Sequence, residues 1–460
     1  MAGAPIPSVA ALARSLAEGK TSSRRLVEEA LARITDANGE GGRAFTKVHA
    51  QSALSAAEAS DRLRKERVVP SPLAGLPVSI KDLFDIAGEV TTAGSKVLRD
   101  RSPASADAVA VARLRTAGAV VIGRSNMTEF AFSGIGINPH YGTPANPWDR
   151  AARRIPGGSS SGAAVSVSDG MSAFALGTDT GGSLRIPAAL CGLAGFKPTT
   201  ARVPREGAFP LSTTLDSVGP IAPTVACCAA VFQVLAGEAS RALVPLPLQG
   251  ARLGVPGNTM LEDLDAEVAE AFQSALQRLS RRGAKIVELA VPEFDDAAKA
   301  NAGGGISPPE AFAVHRAWLD RERDIDPRVL ERILRGGSMS APDYIDLLAT
   351  RTRLMQRFAR ARYDVEALIM PTVPRIAPVI EGLERSPEAF RAANGKMLRN
   401  TSLINFLNGC ALSLPIHPPG TAPVGLMAAG FAGEDERVLS AGLAIEAALA
   451  YQGPALVGAR

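Results

Sequence analysis

Two Gly/Ser turns stand close together in the middle of the chain: Gly157-Gly158-Ser159-Ser160-Ser161-Gly162 and Thr180-Gly181-Gly182-Ser183. Glycine-rich turns reach positive φ and can aim several backbone N–H groups at one point. Converging amides make an oxyanion hole, where a single donor is worth roughly 2.7–4 kcal/mol in acyl transfer. A serine closing such a turn is placed to be a nucleophile, provided that a base activates it.

The histidines are His49, His140, His315 and His417. His49 falls at a helix start, His140 and His417 lie beside prolines, and His315 falls in a polar helix; each reads as a partly exposed or capped histidine. A lysine serves instead if burial keeps it neutral. The candidate is Lys81 in GLPVSIKDLFD, at the end of the apolar run Pro77–Ile80. Asp82 beside it must then turn away, because a carboxylate would hold the amine charged.

Other readings of the block fit less well. Gly158 to Gly162 matches the G-x-S-x-G elbow, which must follow a strand directly, yet DRAARRIP precedes it. No GxxxxGK[ST] phosphate loop occurs, since Lys197 stands too far from the glycines, and no S-x-x-K dyad occurs at any lysine. A purely structural Gly/Ser loop is the plain alternative. Two such turns flanking a small-residue helix, with the lead-in Gly177-Thr178-Asp179, argue against it.

The elements that must position these residues read as α/β. Two helical patterns cover 8–36; in the second, Leu26, Val27, Ala30, Leu31 and Ile34 share a face behind Thr21-Ser22-Ser23 as N-cap candidates. A charged Ala-rich helix covers 49–66. From residue 73, strand candidates are Pro77–Ile80, Ala119–Ile122, Phe174–Leu176, Arg252–Val255, Lys285–Leu289, Ala367–Met370, Leu412–Ile416 and Val424–Met427. Helices at 107–117, 162–170, 264–281 and 436–450 sit between them, and 237–250 and 301–309 read as Gly/Pro-rich loops. Strands alternating with helices predict a largely parallel or mixed sheet.

The 460 residues, 46% hydrophobic and 21% charged, suffice for a large core without disulfides or metals. The net charge of +4 is scattered as short Arg groups, with no basic stripe interleaved by aromatics. That argues against nucleic-acid binding. Cys191, Cys227, Cys228 and Cys410 form no CxxC pair and have no ligand-spaced histidines, so reduced thiols are expected. The N-terminus lacks a signal-peptide pattern, and no apolar run approaches the ~20 residues of a spanning helix. A soluble cytoplasmic protein is expected.

PGGSSSGAAV…LGTDTGGSLRIPAALCGLAGFKPT resembles the signature of the amidase signature family, and GLPVSIKDLFD resembles the segment around that family's lysine. The likeness extends through IGRSNMTEFAFS, DSVGPIAPTV and APVGLMAAG, over most of 20–450. The resemblance implies an α/β/α sandwich, a twisted mixed β-sheet between helical layers. It implies one domain over 1–460: a helical arm (1–70), the signature core (73–205), and 206–460 supplying the rest of the sheet, pocket loops and a C-terminal helix.

By the same resemblance Lys81 matches the base, Ser159 the bridging serine beside a cis peptide, and Ser183 the acyl-forming nucleophile. Thr180, Gly181 and Gly182, with Ser183, match the oxyanion hole. Ala131 and Phe132 match pocket-lining positions. Arg185 matches an arginine that binds a substrate carboxylate in some members and is structural in others. Ser161 and Ala163 stand where many members have Gly and Ser; Leu184 and Ile186 replace residues usual in the A-type component of glutamyl-tRNA amidotransferases. The implied activity is hydrolysis of a carboxylic amide to acid plus ammonia or amine, without metal or cofactor. The alternative is a glutamine-hydrolysing A-type component of a tRNA-dependent amidotransferase complex, which would need partners for ATP and tRNA. Otherwise the expected partners are a small-molecule amide and at most a second copy in a homodimer, with no direct nucleic-acid contact and no membrane. Pocket walls are expected from 127–135, 301–316 and 372–380.

Overall fold

A run such as Pro-Val-Ser-Ile-Lys, with every residue buried, can exist only as an inner strand covered on both faces. In the computed structural model, which describes residues 6–257 and 259–449, that run is β2 (Pro77–Lys81), within an 11-stranded sheet. The other strands are β1 (Phe45–Val48), β3 (Val120–Ser125), β4 (Phe174–Asp179), β5 (Ala194–Lys197), β6 (Ser217–Ala222), β7 (Arg252–Pro256), β8 (Lys285–Leu289), β9 (Ala367–Pro371), β10 (Cys410–Pro415) and β11 (Gly425–Gly430). Their order is β1-β3-β2-β4-β6-β5-β10-β11-β9-β7-β8. β2 is parallel to β3 and β4, and β7 is parallel to β8 and β9; the remaining pairs are antiparallel, so the sheet is mixed.

Alternate residues of one strand go to opposite cores. Val78, Ile80, Phe174 and Leu176 join the core that also holds the helices Val109–Thr116, Val225–Ala236 and Ala266–Arg281. Val120, Ile122 and Ala175 join the core on the other face, with the helices Ser23–Thr35, Ala50–Lys65 and Ser161–Ser168. The layers are therefore helix, sheet, helix. In the Ser23–Thr35 helix, Ser22 caps the start by accepting from the Arg25 amide at 3.1 Å, and Val27, Ala30 and Ile34 are the buried stripe.

All eight strand candidates are found, several extended by one or more residues at the C-terminal end. β1, β5 and β6 are additional. β1 and β5 have four residues each, too short to show a period, and β6 contains Gly219 and Pro220. Pro220 pairs with Leu176 of β4, and the pairing of β6 with β5 is confined to Ile221 and Ala222, beyond the proline. The expected helix 436–450 runs Asp435–Ala448, and Ala450 lies outside the described residues. The loop 301–309 is shorter than expected, because helices reach Asn301 and restart at Ser307.

Candidate active site

Parallel neighbours end together, so the C-terminal ends of β2 and β4 bring Lys81 and Asp179 to the same edge of the sheet, where α/β folds build sites. Lys81 is fully buried. Its Nζ hydrogen-bonds Ser159 Oγ at 2.7 Å and Thr178 Oγ1 at 2.9 Å. Burial drives its pKa from 10.5 down to about 7, although Asp179 and Asp216 pull the other way. Asp82 does turn away: its carboxylate accepts from Arg124 Nε at 2.6 Å, from the Gly94 amide at 3.0 Å and from the Thr92 hydroxyl. The other fully buried lysine, Lys197, donates to the carbonyls of Pro198 and Gly409, both at 2.8 Å. Carbonyls require it as a donor, whereas the hydroxyls around Lys81 can exchange protons with an amine.

Ser159 follows a cis peptide bond after Gly158, and its carbonyl accepts from the Thr128 amide at 3.0 Å. The Ser161–Ser168 helix starts directly behind it and is buried on all sides. Gly162 lets this helix approach: a Cβ there would come within 2.2 Å of the Ala44 carbonyl and 2.6 Å of the Asn126 amide. No strand leads into the block, which removes the elbow reading.

The second turn is tied to the first through the Ser160 amide, which donates to the Ser183 carbonyl at 3.3 Å. Gly182 has φ +137°, and a Cβ there would lie 2.2 Å from Thr401 Oγ1. Thr401 Oγ1 in turn donates to the Gly181 carbonyl at 2.6 Å. Among the described residues the amides of Gly181, Gly182 and Ser183 donate to no partner, three consecutive unused donors in one turn. The Thr180 hydroxyl donates to Asp216 Oδ1 at 2.5 Å. Burial pushes the Asp216 carboxyl up to about 6 against that bond and the amides of Leu211 and Ser212.

Arg185 opens the Arg185–Leu190 helix, where its guanidinium is used up internally. Nε and Nη2 grip Asp179 at 3.0 and 2.9 Å, Nη2 also reaches the Thr401 carbonyl at 3.1 Å and Asn405, and Nη1 reaches Met427 Sδ at 3.2 Å. Burial works to raise the Asp179 carboxyl, but Arg185, with Lys197 and Asn405, outweighs it and holds it at about 2. Arg185 is thus paired with Asp179, and it is not among the described residues that line a cavity with Ser183.

A cavity of about 170 Å³ opens on Ser183, Thr180 and Gly181, and its walls include Ala131, Phe132 and Arg332. Beyond Ala131 and Thr180 lies a wider cleft of about 570 Å³, lined by Thr178, Asp216, Leu83 and Arg351 among others. Loops 127–135 and 301–316 contribute walls as expected. Loop 372–380 does not: Val373, Ala377 and Ile380 pack with Ile135, Ile155 and Ile186, buttressing the site from behind. The Pro387–Phe406 helix takes that wall instead, through Leu398, Ser402 and Phe406.

Neither cavity has a histidine among its described lining residues. His315, expected to be partly exposed or capped, is fully buried against Phe130 at 4.1 Å between ring centroids, and burial drives its pKa down to about 4. His140 pairs with Glu129 at 2.9 Å.

A lysine buried among hydroxyls and a serine on a turn with free amides are what the site offers for chemistry. Comparison with known proteins gives the family. The Amidase family model matches residues 25–439, and the chain belongs to that family. It is 38% identical over 411 residues to the 2-amino-5-chloromuconic acid deaminase of Comamonas testosteroni, covering 88% of each chain. It is 34% identical over 484 residues to the A component of the glutamyl-tRNA(Gln) amidotransferase of Streptomyces coelicolor, covering 96% of this chain and 95% of that one. Among solved structures, a crystal structure of an amidase superposes with a TM-score of 0.86 at 34% identity, covering 96% of this chain and 99% of that one. The peptide amidase of Stenotrophomonas maltophilia superposes with a TM-score of 0.80 at 27% identity, covering 97% and 98%. The protein is an amidase, a hydrolase acting on the C–N bond of carboxylic amides. Among the described residues, no helix is long and apolar enough to cross a membrane.

Proposed function

We propose that Ser183 is the nucleophile, Ser159 the proton bridge and Lys81 the base. The observation that carries this reading is the fully buried Lys81 amine, 2.7 Å from Ser159 Oγ, with its pKa lowered to about 7 by burial. Neutral Lys81 accepts the Ser159 hydroxyl proton as Ser159 accepts that of Ser183. Ser183 Oγ adds to the amide carbonyl, and the oxyanion is met by amides of the 180–183 turn. Lys81 then returns the proton through Ser159 to the departing nitrogen, the C–N bond breaks, and an acyl-Ser183 remains. Water, deprotonated by the same relay, adds to the ester and releases the acid.

The enzyme acts free-standing, on a small amide. The 38%-identical relative is named for deamination of an organic acid, and the cavity above Ser183 is small. Four unpaired buried cysteines fit a reducing compartment, the cytoplasm. The test is ammonia release from an amide panel by the purified chain. Wild type should release ammonia with no added protein, and Ser183→Ala should release none. Activity that appears only with amidotransferase partners would overturn the free-standing reading, and full activity in Ser183→Ala would overturn the nucleophile.

A further inference from the structure

Arg332 sits in the Pro327–Gly336 helix and shares the cavity of about 170 Å³ with Ser183. Its guanidinium carbon lies 4.4 Å from the centre of the Phe132 ring, another wall of the same cavity. Its Nε is buried without a hydrogen-bond partner, and among the described residues nothing accepts from the guanidinium. The nearest carboxylate on its own helix, Glu331, is committed to Arg391 at 3.0 Å and Arg335 at 3.6 Å. Arg332 is half-buried, and a guanidinium with a buried N–H left unpaired is costly unless something pairs with it. Stacking on a ring occupies the face of a guanidinium and leaves its N–H edge for a planar anion.

The rest of the wall supplies the other half of the argument. Ala131, Leu211, Leu215, Ile306, Leu398 and Phe406 are apolar, and no Asp or Glu is among the described residues that line the cavity. An ammonium group held within this cavity would therefore have no counter-ion, since Asp216 and Glu206 line only the wider cleft beyond Ala131 and Thr180. The volume is also below the roughly 300–1,000 Å³ of a pocket for drug-sized ligands.

We propose that the physiological substrate is a short amide that also bears a carboxylate and carries no amino group, its carboxylate held by Arg332 against Phe132 while its amide carbonyl meets Ser183. This rests on the amidase reading of Ser183. It separates the substrate from glutamine, whose α-ammonium this cavity does not accommodate.

Binding to the Ser183→Ala variant tests it apart from turnover. The probes are the monoamides of malonic, succinic and glutaric acid, the neutral amides of matching length (propanamide, butanamide and pentanamide), and glutamine, all titrated calorimetrically. At least one monoamide should bind more tightly than its neutral partner and than glutamine. Adding Arg332→Gln should weaken that binding about 100-fold, as for loss of a charge-assisted bidentate pair, and leave the neutral amide within about threefold. Arg332→Met, which keeps the apolar stem over Phe132, should behave like Arg332→Gln. Monoamide binding unchanged by both substitutions, no monoamide preferred over its neutral partner, or glutamine bound as tightly as the best monoamide would each overturn the proposal. A wild-type enzyme that hydrolyses none of these amides, while Arg332-dependent binding persists, would count against the amidase mechanism and not against the anion site.

Discussion

At the scale of single residues, the chemistry turns on which proton Lys81 holds. With its pKa lowered to about 7 by burial, the amine is charged and inactive at lower pH and neutral above, so kcat/KM should rise with pH through about 7. Lys81→Arg keeps a cation that cannot release its proton, and should lower kcat/KM by about 10²–10⁴, the usual worth of a general base. Rates measured across that pH range for both proteins check this, and near-wild-type activity in Lys81→Arg would reduce the lysine to a positive charge. Ser159 and Ser183 should separate as well. A water molecule can stand in for a bridge but not for a nucleophile, so Ser159→Ala should keep measurable acylation and Ser183→Ala none. Single-turnover assays with folded variants distinguish them, and more activity in Ser183→Ala than in Ser159→Ala would exchange the two roles.

At the scale of elements, the site is the junction from β4 through the 180–183 turn into the Arg185–Leu190 helix. Gly182→Ala would force a Cβ onto Thr401 at a φ of +137° and shift the free amides. It should lower kcat by roughly 10²–10³, the scale of one lost oxyanion donor, and steady-state kinetics read the loss. Arg185→Ala strips the counter-ion from fully buried Asp179 and should destabilise the fold by about 3–5 kcal/mol. Urea unfolding checks this; unaltered stability with a raised KM would instead make Arg185 a substrate ligand. Much of this junction was legible in the sequence, because Gly-rich turns, an apolar run ending in lysine and the lead-in Thr178-Asp179 are local features. Arg332 was not: it shares its amphipathic helix with Arg328 and Arg335, and only packing shows which of them faces Phe132. Arg185 could not be assigned for the same reason, since its partners Thr401 and Asn405 lie far along the chain.

At the scale of the whole molecule, the sheet holds buried charge that the fold must tolerate. Unfolded Lys81 keeps its proton up to its ordinary pKa of 10.5, whereas folded Lys81 loses it near 7, so folding releases a proton between those values. The unfolded chain binds more protons there, and the Lys81 contribution makes stability rise with pH across that window. Lys81→Met should therefore unfold at higher urea than wild type, with the gain largest near pH 7 and shrinking as pH approaches about 10.5. A midpoint difference that stays constant with pH would show that Lys81 carries no such penalty. Eight of the strands followed from short apolar runs that alternate with helical segments. The strands β1, β5 and β6 did not, because four-residue segments and a Pro-containing strand take their conformation from the neighbours they bridge and not from their own pattern.

Whether Lys81 activates Ser183 through Ser159 is read from the rate at which a fluorophosphonate modifies the protein as a function of pH, with the modified residue mapped by mass spectrometry. A single modified residue is expected, Ser183, with a rate that rises through one ionisation near pH 7, matching the lowered Lys81 pKa, and that collapses in Lys81→Arg. Modification of another serine, or a Ser183 rate that is flat with pH and unchanged in Lys81→Arg, would contradict it.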